Sequence, residues 1–268
     1  MWVHPRVLHG PMQQATFELH AQLETRHWWF RARARIFRDL VRALVPPGNA
    51  HLVLEVGCGT GGTLAAFADE YSCCGIDPSE VAIILARQRF PKVEFRCGSA
   101  PEDAQDILAR ARVVLLLDVL EHLEDDAGFL GKLVTAMCSG SYLVLAVPAC
   151  MRLWSPQDEN YGHFRRYEPD TLARVLSGLP ATPVFNSYFN SRLYPVVRLV
   201  RAANVLRRRT SGSAGTDLFL PPAWANRLLE RIFAGEAQVL SQLLAGQRKK
   251  GYTRGVSLLT ILRRNEKG

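Results

Sequence analysis

The chain has 268 residues, of which 48% are hydrophobic and 22% are charged. This composition is ordinary for a globular protein that buries a substantial core, and it excludes a largely disordered chain. No apolar run approaches the roughly 18 to 20 residues needed to cross a bilayer, so the sequence does not predict a transmembrane helix. The N-terminal segment MWVHPRVLHGPM does not resemble a secretory signal, and we expect a cytoplasmic protein.

The net charge of +8 is unevenly distributed. Residues 189–268 carry 15 Lys and Arg against 4 Asp and Glu, a net charge of +11, whereas residues 1–188 carry 18 against 21, a net charge of −3. The late segment therefore predicts contact with an anionic membrane surface, a phosphorylated substrate or nucleic acid. The six cysteines show no paired C-x-x-C spacing, so we expect buried thiols and no metal site.

The predicted elements begin with one or two helices over 13–45, which end at Pro46-Pro47-Gly48. Short apolar runs then alternate with helical stretches. The predicted strands lie at 51–56, 72–77, 92–97, 112–119, 141–147, 183–188 and 256–262. The predicted helices begin at Gly62, Ser79 and Glu102, and cover 124–138 and 169–178. This alternation is typical of a doubly wound α/β fold with a mostly parallel seven-stranded sheet.

A long insertion precedes the last strand. It contains a predicted helix over 191–208, a TSGSAGT segment that we expect to be a flexible linker, and a predicted amphipathic helix over 223–244. The predicted organisation is therefore an N-terminal helical lid (1–48), an α/β domain (49–188), a basic helical insertion (189–255) and the final strand with its tail (256–268).

A glycine-rich loop, EVGCGTGG, follows the first strand and predicts a cofactor site. Gly57, Gly59 and Gly62 match the dinucleotide fingerprint G-x-G-x-x-G, and Asp77 lies 20 residues after Gly57, where that fingerprint places a ribose-binding acid. A nicotinamide cofactor is therefore one alternative. Two features favour S-adenosylmethionine (SAM) instead: Glu55 stands two residues before the first glycine, and DVLEHL (118–123) ends the fourth strand.

Together, VLEVGCGTGG, GIDPS and DVLEHL resemble the class I SAM-dependent methyltransferases over roughly residues 50–150. The resemblance implies that Glu55 orients the loop and the methionine amine, that the loop glycines pack on the cofactor, and that Asp77 holds the ribose. Ser99 stands where the family tends to have an acid for the adenine amino group. The cofactor-binding residues so implied are Arg33, Glu55, Gly57, Cys58, Gly59, Gly61, Asp77, Pro78, Ser99, Ala100 and Asp118.

Two further motifs, HWWFRAR (27–33) and VPACMRLWSPQDENYGHFRRY (147–167), resemble a bacterial subgroup found with glycan or secondary-metabolite genes. The family spacing favours Arg33 as partner of the methionine carboxylate. Trp28 and Tyr161 are candidate acceptor-binding residues. Arg165 and Arg166 could clamp a carboxylate or phosphate on the acceptor, because guanidinium binds such groups bidentately.

His122 and His163 are the candidate general bases, because imidazole titrates near neutrality and both follow predicted strands of the sheet. Each has an alternative: His122 could simply pack the following helix, and His163 could belong to a solvated turn. The leading hypothesis is methyl transfer to oxygen or nitrogen of a small-molecule, glycan or lipid-linked acceptor. An NAD(P)-dependent oxidoreductase and a non-catalytic SAM-binding protein remain alternatives.

The insertion admits several partners. Leu193, Val196, Val197, Val200 and Ala203 share one predicted helical face, with Arg198, Arg201 and Arg207 to Arg209 outside it. This pattern suits peripheral membrane contact through 189–250, and equally a lid or a homodimer interface. Nucleic acid is not favoured, because the Asn-Pro-Pro-aromatic signature of amino-base methylation is absent from the sequence after the fourth strand.

Overall fold

A computed structural model describes residues 14–266 of the chain. Residues 1–13, which include the predicted helix start at 13 and much of the predicted 1–48 segment, lie outside the described residues, as do the last two residues of the predicted tail. The strands are β1 (Gly48–Val56), β2 (Tyr71–Asp77), β3 (Glu94–Cys97), β4 (Val113–Leu117), β5 (Tyr142–Pro148), β6 (Ala181–Phe189) and β7 (Ser257–Arg264). The helices are α1 (Gln14–Leu23), α2 (Trp28–Leu44), α3 (Gly62–Ala65), α4 (Glu80–Arg89), α5 (Gln105–Leu108), α6 (Asp126–Ala136), α7 (Pro156–Asn160), α8 (Pro169–Leu176), α9 (Tyr194–Arg207), α10 (Ala223–Ala234) and α11 (Glu236–Leu244).

The strands form one sheet in the order β3-β2-β1-β4-β5-β7-β6. β1 to β5 run parallel, whereas β7 lies antiparallel between β5 and β6. The predicted doubly wound, mostly parallel seven-stranded fold is confirmed. Strand order reverses between β1 and β4, and in such sheets the carboxyl ends of the strands at this point border a binding crevice.

Both faces of the sheet are buried, and alternate residues of β4 divide the core in two. Val113, Leu115 and Leu117 belong to a cluster that includes α2, α10 and α11. Val114 and Leu116 belong to the opposite cluster, which includes α5, α6 and α8. This two-residue alternation explains why β4 is apolar throughout: a central parallel strand has no face toward water.

Helix α2 is more than a lid, because it forms part of the core. Ile36, Phe37, Leu40 and Val41 recur at helical spacing and are fully buried against the sheet and the insertion. His27 caps the helix by accepting a hydrogen bond from the Trp29 amide at 3.2 Å. The first turn of α2 is thereby fixed at the carboxyl edge of the sheet.

The insertion differs from expectation in two places. The predicted single helix over 223–244 is divided at Gly235 into α10 and α11. The predicted flexible TSGSAGT segment is tied down by hydrogen bonds: the Gly212 amide donates to the Thr216 carbonyl, and the Asn160 side chain donates to the Gly215 carbonyl at 2.8 Å. None of the helices described between residues 14 and 266 is both long and apolar enough to cross a bilayer.

Candidate active site

One cavity of about 1030 Å³ opens at the carboxyl ends of β1, β2, β4 and β5. It brings together most of the residues that the sequence predicted. Those that line it are Trp28, Arg33, Glu55, Gly57, Cys58, Gly59, Asp77, Pro78, Asp118, His122, Tyr161, His163 and Arg166. The volume is at the upper end of the usual range for a single drug-sized ligand, so it can hold two molecules side by side.

The glycine loop between β1 and α3 forms one wall of the cavity. Gly57 and Gly59 have φ angles of +73° and +52°, which favour glycine. A Cβ on Gly57 would clash with Val119 Cγ2, whereas a Cβ on Gly59 would meet nothing within 4 Å among the described residues. Gly57 is therefore required for close packing of the loop, and Gly59 leaves open space beside the cavity.

Asp77 ends β2 and is held by the same loop. Its two oxygens accept hydrogen bonds of 2.9 Å, one from the Gly59 amide and one from the Ser79 amide. The carboxyl is buried, and burial raises its pKa although both amides oppose the shift. Each oxygen keeps a lone pair, so the carboxylate can accept two further hydrogen bonds from neighbouring hydroxyls.

Arg33 and Glu55 both line the cavity, and both have unused polar atoms. Arg33 Nη2 lies 2.6 Å from Asp118 Oδ2, and its guanidinium lies 4.8 Å from the centre of the Trp29 ring. Within residues 14–266, neither Arg33 Nε nor Glu55 Oε2 has a hydrogen-bond partner. Burial raises the pKa of Glu55 to about 8, despite the opposing charge of Arg33. Arg33 therefore offers an N–H donor to an anionic group of a ligand, and Glu55 offers an oxygen acceptor to a cationic group.

A buried ionic network lies beyond β5, with Asp158 at its centre. This carboxylate accepts hydrogen bonds from Arg166 Nε and Arg201 Nη1, each at 2.8 Å, and lies 3.0 Å from His163 Nδ1. Burial alone would raise the pKa of Asp158, but the hydrogen bond from His163 and the charges of Arg166 and Arg201 hold it well below its usual range. Asp158 therefore stays ionised.

The ionised Asp158 fixes the tautomer of His163. A carboxylate only accepts hydrogen bonds, so Nδ1 carries the proton and the lone pair of a neutral ring lies on Nε2. Nε2 is 3.9 Å from Glu121 Oε1. The His122 ring meets His163 edge to face at 4.6 Å, and burial with the charge of His163 lowers the pKa of His122 to about 3. His122 is therefore a neutral imidazole at physiological pH.

Four predicted residues lie away from the cavity lining. A Cβ on Gly61 would point at Phe95, 2.6 Å away, so this glycine packs on the sheet side of the loop. Arg165 is directed outward, where it pairs with Asp126 at 2.8 Å. Ser99 and Ala100 follow β3 and are also absent from the lining that the structure describes. The expected anion clamp therefore does not form in this arrangement, because Arg166 is committed to Asp158 and Arg165 to Asp126.

Three polar residues of the site, Glu121, Asp158 and Arg201, were not predicted from the sequence. Glu121 was part of the DVLEHL motif but was not assigned a role, although its carboxylate is fully buried beside both histidines. Nothing in the sequence distinguishes Asp158 from the other polar residues of its segment. The sequence predicts Arg201 outside the apolar face of its helix, and this prediction is wrong: Arg201 is buried and bonded to Asp158, whereas Val196 and Val200 are about half exposed. Buried ionic bonding overrides helical periodicity here.

Comparison with known proteins identifies the family. A family model described as "Methyltransferase domain" matches residues 27–179, more than half of the chain. This chain belongs to the methyltransferase-domain family. Its match to the probable SAM-dependent methyltransferase of Mycobacterium tuberculosis is 28% identical over 162 residues and covers 58% of this chain and 56% of that protein. The chain thus spans about half the length of this relative.

Other relatives act on different acceptors. The trans-aconitate 2-methyltransferase of Deinococcus radiodurans is 28% identical over 70% of this chain and 78% of its own length. The ajmaline N-methyltransferase of Rauvolfia serpentina is 34% identical over 59% and 56%. Among solved structures, a plantazolicin methyltransferase in complex with SAH covers 94% of this chain and 90% of its own, with 15% identity and a TM-score of 0.57. That likeness shows the fold.

The residues of this methyltransferase domain fit SAM, the cofactor of the class. The methionine part of SAM is a zwitterion, and the unpaired Arg33 Nε and Glu55 Oε2 offer the complementary donor and acceptor. Asp77 keeps two lone pairs for a ribose diol. The open space at Gly59 admits a ligand against the backbone.

Proposed function

We propose that the chain transfers the methyl group of SAM to an oxygen or nitrogen of an acceptor with an apolar body. One observation carries the proposal: a single cavity runs from Asp77 and the glycine loop, past His122 and His163, to apolar side chains of the insertion. Predicted cofactor residues, two imidazoles and an apolar compartment share this one cavity. This is the arrangement that transfer between two bound molecules requires.

The apolar compartment supports an acceptor that carries a lipid or another apolar group. Its walls include Leu193 and Val197 near the start of α9, with Phe219 and Leu229 from the segment that follows. No cation in the described lining remains unpaired close to His163, because Arg166 bonds Asp158 and Arg33 pairs with Asp118. Of the three predicted acceptor classes (small molecule, glycan and lipid-linked acceptor), the lipid-linked acceptor therefore fits this compartment best, and a small polycarboxylate fits it poorly.

Positioning and proton removal are the contributions of this chain to catalysis. When bound, SAM supplies a methyl group on a sulfonium, which is displaced in line by the nucleophile. Holding two reactants in near-attack geometry can lower the barrier by roughly 7 to 11 kcal/mol. His163 Nε2, oriented by Asp158, accepts the proton of an acceptor hydroxyl. His122 and Tyr161, which packs on His163 with ring centres 5.7 Å apart, exclude water from that side.

The insertion also supports contact with an anionic membrane that holds such an acceptor. Leu199, Leu206 and Trp224 expose 73%, 86% and 71% of their surface. Arg198 and Arg207 are adjacent in sequence to Leu199 and Leu206 in α9 and are also exposed. Apolar side chains among guanidinium groups suit the boundary between headgroups and acyl chains. A homodimer through Leu199 and Leu206 is the alternative, and sedimentation with lipid vesicles distinguishes it from membrane contact.

The test is transfer of a labelled methyl group from SAM to a panel of acceptors. The panel contains free sugars, sugars linked to polyprenyl phosphate and apolar phenols, each with SAH release measured in parallel. We expect label in an acceptor with an apolar chain and little label in its water-soluble counterpart. SAM binding without SAH release with any acceptor would instead indicate a non-catalytic SAM-binding protein.

A further inference from the structure

Glu121 is the least expected residue of the cavity. Its side chain is fully buried, and among the residues that the structure describes neither of its oxygens has a hydrogen-bond partner. A buried carboxylate with no partner is costly, so such a group is normally paired with a cation or coordinated to a metal. The nearest guanidinium groups are already engaged: Arg33 with Asp118, and Arg166 with Asp158.

Two imidazoles complete a cluster around this carboxylate. Glu121, His122 and His163 each offer one ligand atom, and the three atoms lie within 4.8 Å of one another. His163 Nε2 and Glu121 Oε1 are already 3.9 Å apart. Four-coordinate zinc with bonds of about 2.0 to 2.1 Å places neighbouring ligand atoms about 3.3 Å apart, so side-chain shifts of about 1 Å would close the site.

The surroundings of His163 match those of a metal ligand. Histidines that bind metals usually donate their other ring N–H to a carboxylate, which fixes the tautomer and the direction of the ring. Asp158 accepts from His163 Nδ1 at 3.0 Å in this way, and it is itself held by Arg166 and Arg201. The lone pair on Nε2 is thereby aimed at the Glu121 side of the cavity.

We propose that Glu121, His122 and His163 form a binding site for a divalent transition-metal ion of the zinc type, with one coordination position open to the acceptor. Two imidazoles and one carboxylate are a donor set that zinc uses when a further position is left for water or substrate. The cysteine pattern of the sequence predicted no metal site, and this cluster contains no cysteine.

This inference rests on the proposed function and refines how the acceptor is activated. In the metal-bound protein the His163 lone pair binds the cation, so the direct proton transfer to Nε2 described above applies only to the metal-free protein. An acceptor hydroxyl at the open position is acidified by the cation, and its O–H proton passes to solvent. The oxygen that remains is then the nucleophile that displaces SAH from the methyl group. The apolar compartment holds the body of the acceptor.

The experiment is calorimetric titration of Zn²⁺ into the untagged, chelator-treated full chain, with and without saturating SAH. The wild type should bind one Zn²⁺, and Glu121→Gln should weaken binding at least tenfold. Glu124→Gln is the matched control, because Glu124 lies three residues away and is exposed; its affinity for Zn²⁺ should be unchanged. Unfolding temperature and SAH affinity establish that each variant is folded.

A spectroscopic measurement covers the case in which Glu121→Gln does not fold. Co²⁺ in a four-coordinate site gives a strong visible absorption, which should be present in the wild type and lost in His122→Asn. His20→Asn is the control, since His20 lines the same cavity but lies outside the cluster. Absence of Zn²⁺ and Co²⁺ binding, or equal binding by the cluster variants, would overturn the metal site. If such a protein still releases SAH from SAM in the presence of an acceptor, the proposed methyl transfer stands; if it releases no SAH with any acceptor, that proposal fails separately.

Discussion

Glu55 offers the sharpest prediction, because its protonation should control cofactor affinity. The carboxyl is buried beside Arg33, Glu24 and Asp77, and burial raises its pKa to about 8. Below that pH the cofactor-free protein carries a proton on Glu55. The methionine ammonium of SAM favours the carboxylate, so binding below pH 8 should release this proton.

The magnitude follows from the ionised fraction of Glu55. With a pKa of about 8, that fraction is about one half at pH 8 and about one hundredth at pH 6. The affinity for SAH, which binds without reacting, should therefore fall about 50-fold between pH 8 and pH 6. Calorimetric titrations in buffers of different ionisation enthalpy should show release of nearly one proton at pH 6.5.

Glu55→Gln is the control for pH effects that come from other titrating groups, such as the Asp77 carboxyl and the amine of SAH. This variant should bind SAH more weakly at pH 8, with a shallower dependence on pH and with about one fewer proton released. If the wild type and Glu55→Gln show the same pH slope and the same proton release, Glu55 does not titrate with the cofactor and the reasoning is wrong.

Three further predictions concern the fold and both ends of the cavity. In the cofactor-free fold, burial opposes ionisation of Glu55. The difference in unfolding free energy between the wild type and Glu55→Gln should therefore favour the wild type most below pH 4.5. It should fall by up to about 1.4 kcal/mol per pH unit as pH rises toward 8; a constant difference in urea titrations would contradict the raised pKa. If Asp77 holds the ribose through two charge-assisted hydrogen bonds, Asp77→Ala should weaken SAH binding about 100-fold or more, whereas Asp69→Ala at an exposed position should not; equal affinities would refute the ribose assignment. Val197→Asp should raise the KM for an apolar acceptor, whereas Val205→Asp, on the same helix but outside the described lining, should leave it unchanged; identical effects would show that the compartment does not bind the acceptor.

Membrane contact makes its own prediction. The wild type should sediment with vesicles that contain anionic lipid and much less with neutral vesicles, because arginines and exposed apolar side chains act together. Leu199→Asp combined with Leu206→Asp should abolish sedimentation without changing SAH affinity. Concentration-dependent dimerisation that the same pair of substitutions removes would assign this face to a second copy of the chain.

The sheet and the cofactor end of the site could be predicted because their signals are local. Parallel strands buried on both faces appear as continuous apolar runs, and the residues that follow them meet at one edge of the sheet. Glu55, Asp77 and Asp118 each follow or end such a run, so their proximity could be expected. The helix predicted to begin at Ser79 also forms: Ser79 caps α4, with its hydroxyl accepting from the Ala82 amide at 3.3 Å.

The acceptor end could not be predicted because it depends on contacts between distant segments. Asp158 accepts hydrogen bonds from Arg166, which is eight residues away, and from Arg201 in α9, which lies 43 residues later in the chain. Helical periodicity gives the relative directions of side chains on α9, but a buried ion pair decides which of them faces inward. The break at Gly235 could not be predicted for a similar reason. The apolar pattern continues through Gly235, but both α10 and α11 pack on α2, a contact with a distant segment.

The most direct test of the account is calorimetric titration of the purified chain with SAM, SAH and NADH. The geometry of Arg33, Glu55 and Asp77 predicts micromolar binding of SAM and SAH and no binding of NADH. Binding of NADH without SAM or SAH would contradict the account, and it would assign Asp77 and the glycine loop to a dinucleotide.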